Sequence, residues 1–276
     1  MPKRRLTTED IHCVEAYRAE VLNAFGRIFA EARNRFADGD RLLRRFNDAV
    51  VLVLNGASFR AVDDAHNELC IARALLLNTK LPFMRVEYEP RLPGCAKSID
   101  FRAISADGAT VFVDVKTIKP EPKDRWEQFE RAVREKWFPD HIIVALSKDW
   151  MGGEIWHGMF AARARMLEYT LELEAKVREC GLKGRENPIF VLALCGAGFE
   201  WREDQLEDFV QFYRNGRHRS DDPFAKVEAH FIEEEKASLD RTVSRFACMR
   251  RRQFDLFPER LNWDVQGPAD PIFDAL

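Results

Sequence analysis

Residues 97–120 read KSIDFRAISADGATVFVDVKTIKP, two strand-forming runs joined at Asp107-Gly108. In a hairpin, a one-residue change of register moves every side chain to the opposite face, so the turn decides what the strands can pack against. A two-residue Asp107-Gly108 turn pairs Phe101 with Asp114 and mixes charge into both faces. A three-residue loop, Ala106-Asp107-Gly108 with a left-handed glycine, pairs Ser105 with Ala109, Asp100 with Asp114, and Ser98 with Lys116. Ile99, Phe101, Ala103, Val111, Val113 and Val115 then share an apolar face, so the three-residue loop is the expected one.

That register sets two carboxylates side by side with a lysine one step along. Like charges directly opposite one another destabilise a sheet, so something must offset them. On a solvated face, water does so. On a covered face, a divalent cation with hard oxygen ligands can do so. The runs HIIVALS (141–147) and PIFVLALCG (188–196) are continuously apolar, as in strands covered on both faces, and favour the covered sheet.

Helical periodicity surrounds the hairpin. Ile11, Val14, Tyr17, Val21, Phe25 and Phe29 predict a helix from Thr8 to about Phe36, and a second follows Gly39 and ends near Asn55-Gly56. Ser58 can cap a third helix running to about Asn78. After Pro82 come FMRVEYE and the hairpin, then a capping-box helix opening at Asp124 and Glu127. A long helix is expected over about 158–180, a shorter one around 204–213, and another around Phe224 to Met249. The organisation predicted is a helical arm (1–57), an α/β core (58–200) with a helical insertion at about 150–187, and a C-terminal helical extension and tail (201–276).

Composition limits the function classes. With 46% hydrophobic and 32% charged residues, 276 residues can bury a sizeable core. No run approaches the roughly 20 apolar residues that span a bilayer, and the charged start has no apolar signal core, so a cytoplasmic protein is expected. The six cysteines show no CxxC pair and are expected to be reduced, mostly buried thiols. A net charge of −3 restricts any nucleic-acid contact to local basic clusters such as Arg41–Arg45, Arg214–Arg219 and Arg250–Arg252.

In the third helix Glu68 interrupts the apolar line Ala61, Ala65, Ala72 and Leu75, where it either reaches solvent or reaches toward the hairpin acids. A helix bearing Glu68, then three strands bearing Asp100 and Asp114-Val115-Lys116, resembles the PD-(D/E)xK nuclease superfamily. The resemblance covers roughly residues 58–147, with Ile99 where the motif's proline would stand. It implies a restriction-endonuclease-like αβββαβ core, with a central mixed sheet flanked by helices. It also implies Mg²⁺, with Mn²⁺ as a substitute, held by Asp100, Asp114, Glu68 and the Val115 carbonyl. Lys116 would activate or orient the attacking water.

The implied activity is phosphodiester hydrolysis, in DNA first of all. The alternative is the same fold kept as a nucleic-acid or protein binding module without hydrolysis. Gln128, Arg131, Arg214 and Arg217 are candidates for backbone phosphate contacts, and the helical arm offers a surface for a homodimer. Glu87 and Glu89 are alternative ligands or edge-strand charges.

Overall fold

A computed structural model describes residues 6–36, 38–92, 95, 98–118, 153–182, 188–197, 206, 209–211, 213–214, 239–252, 254–258 and 260–263. Helix α1 (Thr8–Glu31) opens on a capping box: the Asp10 N–H donates to Thr7 Oγ1 at 3.1 Å and the Thr7 N–H to Asp10 Oδ2 at 2.9 Å. Helices α2 (Gly39–Leu54) and α3 (Arg60–Leu76) follow. Ser58 Oγ accepts the Arg60 N–H at 3.2 Å, but the N-cap of α3 is Phe59, which makes no side-chain cap, so Ser58 stands one residue before the capping position expected for it.

Among the described residues, six strands form one mixed sheet in sequential order: β1 (Phe83–Tyr88), β2 (Phe101–Ser105), β3 (Thr110–Thr117), β4 (Ile189–Ala197), β5 (Arg245–Arg251) and β6 (Arg260–Trp263). β1, β2 and β3 are an antiparallel meander. Helix α4 (Gly153–Glu179) lies on the crossover that returns β4 parallel to β3. β5 adds parallel to β4, and β6 closes the edge antiparallel.

The hairpin has the expected register. Phe101 pairs with Val113 and Ile104 with Thr110, and the Ser105 N–H donates to the Ala109 carbonyl at 3.0 Å across the loop. Gly108 has φ +86°, left-handed as the loop demands, with open space around a would-be Cβ. Gly108→Ala is therefore expected to cost about 1 kcal/mol from backbone strain alone, and Gly108→Asn less, because asparagine tolerates this region. Urea denaturation of the three proteins checks that order.

Two cores sandwich the sheet. Phe101, Ala103, Val111, Val113, Val115, Val191, Ala193, Ala247 and Met249 face α1–α3. Phe112, Phe190, Leu192, Leu194, Phe246 and Cys248 face the other way, onto Met166, Leu167, Leu173 and Val177 of α4. β4 thus buries both faces, which is why its sequence is apolar without alternation.

Three further expectations change. Ile99 packs in the α4-side core and not with Phe101, because strand β2 begins only at Phe101 and the pleat does not extend back through the bend at Asp100. Residues 245–251 form β5 and not the end of a helix. The run Phe246-Ala247-Cys248-Met249 sends alternate side chains into the two cores, so the C-terminal extension supplies strands to the sheet. Cys95 and Cys180 form a disulfide, brought together from 85 residues apart where spacing along the chain carries no signal. Cys70, Cys195 and Cys248 are buried thiols and Cys13 is an exposed one.

The helix expected from Asp124, the strand at 141–147, and Gln128, Arg131 and Arg217 lie outside the described residues. Among the described residues, no helix is long and apolar enough to cross a membrane.

Candidate active site at the end of β2 and β3

Asp100 stands at a bend one residue before the last ladder pair, Phe101 with Val113, close enough to Asp114 for that acid to raise its proton affinity. The Val115 N–H donates to Asp100 Oδ2 at 2.6 Å, and the Glu89 N–H donates to the Asp100 carbonyl at 2.7 Å. These contacts turn the Asp100 carboxyl inward although the residue keeps some exposure. Asp114 is fully buried. Its Oδ1 accepts from Lys176 Nζ at 2.6 Å, whereas Oδ2 is buried without a hydrogen bond and has Lys116 Nζ at 3.5 Å.

Lys116 donates to Glu172 Oε2 at 2.7 Å and stands 5.8 Å from the Tyr169 ring centre. Burial acts to lower its proton affinity, but Asp114, Glu172 and Asp100 outweigh that and hold it above the ordinary lysine range. Lys116 is therefore a fixed cation.

Glu68 projects from α3, whose other inward residues belong to the arm-side core. Its carboxyl accepts from Arg45 Nη1 at 2.5 Å and from the Tyr88 hydroxyl at 2.8 Å. Glu68 thus reaches the hairpin's acidic end and interacts with Asp100, but Arg45 and Tyr88 hold it there. Among the described residues, no group of three or more His, Cys, Asp or Glu side chains is gathered closely enough to hold a metal ion. The carboxylates meet in pairs, Glu68 with Asp100 and Asp100 with Asp114.

Burial first, and then the neighbouring acid, raise both titrating members of this row. Asp100 is pushed up to about 7 by burial and Asp114, and Glu68 to about 8 by burial and Asp100. Between the unfolded carboxylate range, about pH 4, and these values, the folded chain keeps protons that the unfolded chain has lost. The metal-free fold therefore loses stability as pH rises through that window. Asp100→Asn, which keeps an acceptor for the Val115 N–H, is expected to flatten the decline and melt above wild type at pH 8. Melting in EDTA from pH 5 to 8 checks this, and an unchanged slope would contradict it.

No family model, curated protein or solved structure matches the chain. The site must therefore be read from its own chemistry. A buried carboxylate oxygen without a hydrogen bond, beside a second carboxyl whose proton affinity is raised, is a donor set that a hard divalent cation fits. Asp100 and Asp114 would hold it, with Glu68 adjoining.

The remaining predicted residues are placed differently. Glu87 pairs with Arg85 at 2.7 Å and with Arg102, and Glu89, at the bend just past β1, pairs with Arg41 at 3.3 Å and Arg45 at 3.8 Å, so both are ion-paired charges. Arg214 is half-buried in a helical stretch. Arg251, in one of the local basic clusters, is 1% exposed and bound to Asp63 at 2.9 Å, so it is neither a solvated charge nor a surface for nucleic acid. Sequence reasoning passed over Lys176, Glu172, Arg45 and Tyr88. Glu172 and Lys176 show only as an i,i+4 charge pair, which on its own reads as a solvated helix surface.

Proposed function

We propose that the chain is a divalent-metal-dependent nuclease of the PD-(D/E)xK type, acting on phosphodiester bonds, DNA first of all. The observation that carries this reading is Asp100, just before β2, interacting with Asp114 of β3, with Lys116 3.5 Å from an Asp114 oxygen that accepts no hydrogen bond. The order of elements supports it: helix α3, the β1–β2–β3 meander, a crossover bearing α4, and β4 parallel to β3.

Asp100 and Asp114 would hold Mg²⁺ or Mn²⁺, with the Val115 carbonyl and Glu68 as further ligands. When bound, the ion supplies an acidified water and neutralises charge that develops on the phosphate. Lys116 keeps its proton, so its part is to orient the attacking water or a phosphate oxygen and to offset negative charge, not to remove a proton. Burial of Asp114 and the apolar neighbours on β3 keep bulk water from weakening those interactions.

A second reading keeps the fold as a nucleic-acid or protein binding module without hydrolysis. It is favoured by Arg45 on Glu68 and Lys176 on Asp114, which already neutralise two of the acids. A cleavage panel separates the two. Plasmid, linear and single-stranded DNA, and RNA, are incubated with the full chain and Mg²⁺ or Mn²⁺, with Lys116→Ala as control. Cleavage that needs the ion and Lys116 is expected, and binding without cleavage under either ion would overturn the nuclease reading in favour of the second.

A further inference from the structure

Helix α4 carries a second lysine to Asp114, on the face of β3 opposite the helical arm. Its Nζ is 2.6 Å from Oδ1, while Lys116 occupies the side of Oδ2 at 3.5 Å. Glu172, one turn earlier on α4, engages Lys116 at 2.7 Å. The four groups form an alternating row: Glu172, Lys116, Asp114, Lys176.

The lysine on α4 is the more enclosed of the two, its side chain 12% exposed against 20% for Lys116. Its charge also reaches Asp100, where it holds down proton affinity more strongly than Lys116 does. A cation hydrogen-bonded to one strand carboxylate and acting on the other competes for the same two acids that an ion would share.

We infer that Lys176 is a built-in counter-cation of Asp114 that competes with a divalent ion for that carboxylate and is displaced as the ion binds; this rests on the reading of Asp100 and Asp114 as metal ligands. The arrangement has two consequences. Without the ion, Lys176 keeps a fully buried carboxylate from standing uncompensated. With the ion, the displaced ammonium has Glu172 four residues back on the same helix face, in the orientation that favours a Glu-to-Lys pair. Lys116, now the partner of Glu172, is then free to turn to substrate. The site would thus couple ion binding to release of its motif lysine.

Titration calorimetry of the full chain with Mn²⁺ alone tests this without any cleavage assay. Lys176→Met removes the competing charge, and Lys176→Gln, which still donates a hydrogen bond to Asp114, serves if the methionine variant fails to fold. Either is expected to bind Mn²⁺ about tenfold or more tightly than wild type, the loss of one charged hydrogen bond that the ion would otherwise displace. Asp114→Asn abolishes binding. A Lys176 variant that binds no more tightly than a binding-competent wild type overturns the competitor role and leaves the metal reading intact. No binding by wild type or either Lys176 variant overturns the metal reading, and this inference with it.

Discussion

Asp114→Ala is expected to reduce ion-dependent cleavage by about a thousandfold or more, in keeping with removal of a group that stabilises the developing charge. Asp114 is the joint of the site: it acts on Asp100 through its charge, pairs with both lysines, and is fully buried. Its removal leaves Lys176 with no carboxylate at 2.6 Å and Asp100 without the neighbour that helps raise its proton affinity. The variant must therefore be measured as folded protein, with circular dichroism beside the cleavage assay. The loss is expected at saturating Mg²⁺ and at saturating Mn²⁺. Undiminished cleavage by a folded Asp114→Ala protein would remove this carboxylate from the chemistry.

Arg251→Met is expected to destabilise the fold by about 3–5 kcal/mol, the range for breaking a buried ion pair by removing one partner. Arg251 donates to Asp63 at 2.9 Å, to Asn67 at 3.3 Å and to the Tyr17 hydroxyl at 3.5 Å, and so ties β5 to α3 and α1. Asn67 passes the network to β3 by donating to Thr117 at 3.0 Å. His66 completes it: Tyr17 bonds its Nδ1 and the Leu256 carbonyl lies 3.0 Å from its Nε2. Burial and then Arg251 lower the His66 pKa to about 3, so it is neutral, and the carbonyl partner places its hydrogen on Nε2.

Without Arg251, Asp63 keeps the burial that raises its proton affinity and loses the charge that opposes it. Urea denaturation measures the cost. Asp63→Asn in the Arg251→Met background should recover part of it, because the orphaned charge is gone. Full stability of Arg251→Met would mean that the network is dispensable.

The hairpin was legible because strand geometry is local. Period-two alternation and an Asp-Gly loop set the register of Phe101 against Val113 using only residues 98–116. Glu68 was legible as an anomaly, a carboxylate in a line of small apolar residues, but its partner Arg45 comes from a different helix. The β5 strand was misread as helix because four apolar residues in a row fit a buried strand and a buried helix alike, and only the slot beside β4 decides between them.

The sequence by itself determined the register of Phe101 against Val113 and the apolar face of Phe101, Ala103, Val111, Val113 and Val115, because neighbouring strands leave little freedom once the turn is chosen. Only the tertiary structure decided what compensates the buried acids. Lys176 reaches Asp114 across 62 residues and Arg251 reaches Asp63 across 188. Such pairings follow from which helix the parallel crossovers press onto which face of the sheet. Burying the apolar sides of α4 and β4 together dictates that packing, and the charges are carried along with it.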